Sequence, residues 1–241
     1  MSIRRSGPIS SKARFARLVI CAPLILLTVC ADSPLLANNA PQENQQPSSS
    51  RQVVVLLDVN PNQQKVFSLE SDLAMGVLDH LNEPDDAVSL ITFGSEAPVL
   101  GIVDAKPSDA IDAIKKVSPE QPGERYFSVH LYKAIDLALN QFADDARPKS
   151  LLIIAEGRED FGGKAFKQIV SRARQLRVNC YVALVARHSL RGSKSILIYG
   201  FYLSELARKT HGRCIEVGDR PKKVPRSIDR LSESILGQYR R

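Results

Sequence analysis

Val53-Val54-Val55-Leu56-Leu57-Asp58-Val59-Asn60-Pro61-Asn62 carries five branched apolar residues straight into an Asp, an Asn, a Pro and a second Asn. A short apolar run bounded by turn residues fits a strand buried on both faces, as in a parallel sheet. In open α/β sheets, ligands bind outside the carboxyl ends of such strands. The stretch therefore predicts the centre of the sheet, and its exit predicts the functional surface.

The elements around it follow the same logic. Leu69, Leu73, Val77 and Leu81 recur every fourth residue and predict a helix over 68–82, with Ser68 as its N-cap. Ala87 to Phe93 reads as a strand. Ala97 to Val103 reads as its antiparallel partner across the short Gly94-Ser95-Glu96 connection, and Pro98 places it at an edge. Helices are expected at Ser108–Val117 and Ser128–Phe142, then a fully apolar strand at Ser150–Ala155 that ends in Glu156. A helix at 162–176, a strand at 178–186, a helix at 196–210 closed by Gly212, a strand at 213–217 and a helix at 224–239 complete the order. Alternation of this kind predicts an α/β fold: a doubly wound, mostly parallel six-stranded sheet with one antiparallel edge strand and helices on both faces.

The first 31 residues stand apart. Arg4, Arg5, Lys12, Arg14 and Arg17 precede an apolar stretch, Leu18 to Ala31, with small residues at Val29 and Ala31. This is the pattern of a secretory signal peptide. The stretch is short for a membrane span, which needs about 20 residues, so an uncleaved anchor is the second reading. The expected location is exported, periplasmic or extracellular. Residues 32–51 are rich in Asn, Gln, Pro and Ser and read as a disordered linker. The folded domain is expected over 52–241.

The chain carries +7, from 33 basic and 26 acidic residues. The first 31 residues hold five of the basic ones and no acid, which leaves 28 against 26, or +2, for the remainder. No clustered basic face for nucleic acid follows from that balance. Cys180 and Cys214 remain outside the leader, and both a disulfide and two buried thiols are open.

Asp58, Asn60 and Asn62 alternate along the strand exit, and Glu156 leaves the other strongly apolar strand. Neighbouring strands at the switch point would bring them together. Carboxylates and amide carbonyls are hard oxygen ligands suited to Mg²⁺ or Ca²⁺. The same residue types also fix turns through their own backbone. Other chemistry lacks its residues. Glu156 to Gly163 matches no phosphate-binding loop, no Ser sits in a nucleophile elbow, and His80, His130, His188 and His211 lack ligand spacing. No small-molecule substrate is indicated. Glu83, Asp85 and Asp86 read as a solvated turn, with a calcium site as the less common alternative.

The run ending in Asp58, Ile91-Thr92-Phe93-Gly94, Leu131-Tyr132-Lys133-Ala134-Ile135 and Leu151 to Arg158 together resemble a von Willebrand factor type A domain. Leu203 to Ala207, Gly212-Arg213-Cys214 and Ile235 to Tyr239 resemble a secreted bacterial branch of that family, best known from Acidobacteria. The resemblance implies a metal-ion-dependent adhesion site with the pattern Asp-x-Ser-x-Ser, a Thr before the third helix and an Asp after the fourth strand. Asp58 matches the first Asp. Asn60 and Asn62 stand at the Ser positions, Val129 at the Thr position with Ser128 beside it, and Glu156 at the last Asp. The implied metal set is Asp58, Asn60, Asn62, Ser128 and Glu156, a degenerate site for Mg²⁺ or Ca²⁺. The implied function is an exported, non-enzymatic module that docks a partner protein on the strand-exit loops. The alternatives are an α/β enzyme using Asp58 and Glu156, and a structural envelope protein without an ion.

Overall fold

The computed structural model describes residues 50–60, 66–81, 85–120, 130–156, 163–185 and 194–237, with side chains in the last segment from residue 200 onward. All belong to the unit Gln45–Arg241. The leader and nearly all of the linker lie outside them, as do Asn62, Ser128, Val129 and Tyr239.

Strand β1 (Gln52–Asp58) is buried along its whole length. It pairs in parallel with β2 (Ala87–Phe93) on one side and with β4 (Lys149–Ala155) on the other. β3 (Val99–Ala105) runs antiparallel to β2 and forms one edge. β5 (Val178–Leu184) and the short β6 (Cys214–Glu216) extend the other side in parallel. The strand order is β3-β2-β1-β4-β5-β6, so the winding reverses between β1 and β4. That crevice is the switch point of the sheet.

The alternation of side chains along β1 explains the layers. Val53, Val55 and Leu57 face a core completed by α1 (Phe67–Leu78), α2 (Pro107–Lys116) and α6 (Val224–Leu236). Val54 and Leu56 face the opposite core, built with α3 (Leu131–Leu139), α4 (Gly163–Gln175) and α5 (Lys194–Lys209). A side chain of this size contributes about 1.5–3 kcal/mol when fully buried, so β1 alone anchors both layers. No described helix is long and apolar enough to cross a membrane.

Several boundaries differ from the sequence expectation. Helix α1 begins after Val66, with no side-chain cap, so Ser68 is not the N-cap. It stops at Leu78, yet Leu81 remains buried because the N–H groups of His80 and Leu81 continue in tight turns onto Val77 and Leu78. β3 starts two residues later than expected, past Pro98, which has no N–H to give a ladder. Val99, Leu100 and Val103 are exposed on this edge strand. Helix α5 closes through His211, which takes the left-handed conformation (φ 61°) that glycine usually supplies. Gly212 follows and donates to the Ala207 carbonyl at 2.9 Å. Its lack of a side chain serves packing instead: a Cβ there would lie 1.8 Å from the Cys180 carbonyl oxygen.

The acidic turn also differs. Asp86 is buried, accepts the Arg51 backbone N–H at 2.8 Å and pairs with the Arg51 guanidinium at 3.1 Å. Arg51, placed in the linker by composition, is thus tied into the domain. Cys180 and Cys214 are free thiols. Cys214 sits opposite Val182, two residues beyond Cys180 along β5, a diagonal offset that parallel strands hold too wide for a disulfide.

Candidate functional site

Asp58 is the last residue of β1 and is 2% exposed; Glu156 follows the last residue of β4 and is 3% exposed. The parallel pairing Leu57↔Ile154 brings these two strand ends side by side at the switch point. Two carboxylates are therefore buried together where the winding reverses. Burial is the main force on Asp58, and it pushes the carboxyl up from 3.8 to about 7. Glu156 and, more weakly, Glu120 push the same way by like-charge repulsion. Two backbone donors oppose this: the Asn60 N–H, 2.9 Å from Oδ1, and the Glu156 N–H.

The bond from Asn60 to Asp58 is an Asx-turn, the local structure that Asp favours where a chain leaves a strand. It fixes Val59 and Asn60 at the β1 exit. Asn60 is itself buried. Val59 is fixed on both sides: its N–H donates to the Phe93 carbonyl at 2.8 Å, and its carbonyl accepts the Glu120 N–H at 2.7 Å.

Glu120 is the residue that sequence reasoning missed. It stood in a Pro-rich loop as one charge among several, and no spacing tied it to Asp58. Helix α2 climbs from the far end of the sheet and delivers Glu120 to the strand exits. Its carboxylate accepts the Ser95 hydroxyl, the Ser95 N–H at 2.9 Å and the Glu96 N–H at 3.4 Å. It thereby locks the β2–β3 connection to the β1 exit. A Cβ at Gly94 would meet this carboxylate at 2.4 Å, so a side chain there would displace Glu120 from its bonds. His130, at the N-terminal boundary of α3, joins the same surface by donating its N–H to the Gly94 carbonyl at 3.0 Å.

Of the five sequence candidates, Asp58, Asn60 and Glu156 are brought together. Asn62 and Ser128 lie outside the described residues. Among the described residues, no group of three or more His, Cys, Asp and Glu side chains is placed to hold a metal ion. The donors present are two carboxylates and one amide, with Glu120 committed to Ser95 and Glu96. This is oxygen chemistry of the kind Mg²⁺ and Ca²⁺ take, but fewer ligands than a tight site needs.

No family model matches the chain, and no curated protein matches it either. Solved structures do match. An aerotolerance-related membrane protein from Bacteroides fragilis superposes with a TM-score of 0.58 at 16% identity, over 78% of this chain and 100% of that one. The SpRpn10 VWA domain gives 0.55 at 12% identity, over 75% of this chain and 95% of that one. Proximal thread matrix protein 1 from the mussel byssus, with a zinc-occupied MIDAS motif, gives 0.58 at 16% identity, over 78% of this chain and 46% of that one. The chain has the fold of a von Willebrand factor type A domain.

Proposed function

We propose that this von Willebrand factor type A fold serves as an exported protein-interaction module. A partner protein docks on the loops at the carboxyl ends of the strands, around Asp58, Asn60, Glu156 and the Gly94–Glu96 connection. The observation that carries the reading is the pair of buried carboxylates at the switch point. Burial and the neighbouring Glu156 both disfavour the charged form of Asp58, a cost that a bound cation would offset. A divalent ion would be held by Asp58, Asn60 and Glu156, with Asn62 and Ser128 as further candidates. When bound, it supplies an electrophilic centre that a partner carboxylate can complete. The rest is done by this chain: Asn60 fixes the exit of β1, and Glu120 holds the neighbouring connection rigid against it.

Export rests on the basic and then apolar order of the first 31 residues. Two of the solved neighbours are in keeping with this: one is a membrane protein and another a byssal matrix protein. A non-enzymatic role rests on the absence from the sequence of a nucleophile elbow, phosphate loop or cofactor motif.

A photo-crosslinking residue at exposed Glu96, beside the strand exits, tests this reading against the same residue at exposed His80, at the far end of the sheet. Discrete partner adducts are expected from position 96 and not from 80, and they should diminish in Asp58→Ala. Equal adducts from both positions, unaffected by Asp58→Ala, would reject docking at the strand exits.

A further inference from the structure

The helices α4 and α5 concentrate positive charge on one layer of the molecule. Together they hold seven Lys and Arg against a single acid, Glu205. The chain after residue 31 totals only +2, so with +6 on these two helices the rest of that part is net acidic. Lys164, Lys167 and Arg174 follow one another at spacings of three and seven, which puts them on one face of α4. All three are exposed, and none enters an ion pair among the described residues. Arg172 differs, being engaged by Asp136 of α3 and by Asn140 just after it. Glu205 does not offset the three: Arg208 donates to both of its oxygens at 2.8 Å, and Lys209 lies at 3.7 Å.

The same layer exposes an aromatic ring. Phe201 of α5 is 61% exposed. It stands edge-on to Tyr202, with ring centroids 5.9 Å apart, and Tyr202 packs in turn on Phe166 of α4 at 5.1 Å. The three rings form a ladder from the α4–α5 seam out to solvent, at the level of Lys164 and Lys167 on α4. The sequence around Phe201, Ile196-Leu197-Ile198-Tyr199-Gly200-Phe201-Tyr202-Leu203, carries no charge. A helix lying on a sheet buries one stripe, so an uncharged run of this length is more apolar than the sheet side requires.

An exposed ring among unpaired Lys and Arg on a helical layer matches a bilayer surface: the ring enters the headgroup region, and the cations meet anionic lipid. A nucleic acid would answer the same charge, but an exported chain, as the leader predicts, meets lipid instead.

We propose that the α4–α5 face docks on an anionic lipid bilayer, with Phe201 at the headgroup level and Lys164, Lys167 and Arg174 against lipid phosphates. The strand exits lie at the end of the sheet rather than on this layer, so they stay open to a partner when the face is covered. The proposal stands whether or not a partner docks there.

The chain contains no Trp, so a single indole at position 201 reports on this face alone. Phe201→Trp in the full chain is mixed with vesicles of phosphatidylglycerol and phosphatidylcholine, and its emission is followed. A blue shift is expected with these vesicles and not with pure phosphatidylcholine. Asp72→Trp, exposed on α1 across the sheet, should shift with neither. Adding Lys164→Gln and Lys167→Gln to Phe201→Trp should raise the lipid concentration for half the shift by at least about tenfold, since each basic residue near such a surface contributes about fivefold. All of these positions are exposed, so the changes leave the core intact. No shift at position 201, a shift of equal size in neutral vesicles, or an unchanged lipid requirement in the charge variant would overturn the proposal. An equal shift with polyglutamate or with DNA would assign the face to an acidic protein or a nucleic acid and overturn it as well.

Discussion

Replacing Asp58 by Asn separates the charge of this residue from its structural role. The amide oxygen can still accept the Asn60 N–H, so the Asx-turn survives. The ionisable group does not. In the folded chain the Asp58 carboxyl sits at about 7, against 3.8 for the ordinary group. Between those values the folded state holds a proton that the unfolded state has released. Stability therefore falls as pH rises from about 3.8 to about 7, at up to ~1.4 kcal/mol per pH unit. Over the window this amounts to about 4 kcal/mol. Asp58→Asn should match the parent near pH 4 and exceed it by up to about 4 kcal/mol at pH 8 in the presence of a chelator. Urea unfolding at pH 4.5, 6 and 8 reads this directly as a midpoint difference that widens with pH at constant slope. A midpoint difference that stays the same across the series would refute the argument that Asp58 is buried against its own charge.

Other consequences are tested in the same preparations. Gly212→Ala puts a methyl group 1.8 Å from the Cys180 carbonyl oxygen and should cost about 3 kcal/mol, seen as a lower melting temperature. Burial pushes the thiols of Cys180 and Cys214 up to about 12 and about 11. Both should therefore resist iodoacetamide at pH 8 in the native chain and react fully in urea; rapid native labelling of either would contradict the packing. Asp86→Ala removes the acceptor of the Arg51 N–H and should cost about 1–3 kcal/mol, with earlier proteolysis near residue 51.

The fold was legible because its signals are redundant. Val53 to Leu57 and Leu151 to Ala155 are apolar on both faces, as strands of a covered parallel sheet are. The alternation of these strands with helical stripes then left little choice of topology. Helix ends were less legible because tertiary contacts set them: Leu81 keeps its place in the apolar stripe after α1 has ended, and His211 takes the turn position expected of glycine. In the site, Asp58, Asn60 and Glu156 were readable as polar residues at the ends of buried strands. Glu120 was not, because its role depends on where α2 ends in space. Asp86 looked like part of a solvated turn, since nothing local announces a partner 35 residues away.

The central claim is that the buried pair at the switch point is a cation-responsive docking site. It is tested most directly by calorimetric titration of Mg²⁺, Ca²⁺ and Mn²⁺ into the chain at pH 8. Saturable binding of at least one ion, lost in both Asp58→Asn and Glu156→Gln, is the predicted result. No saturable heat with any of the three, or binding that persists undiminished in both variants, would contradict it.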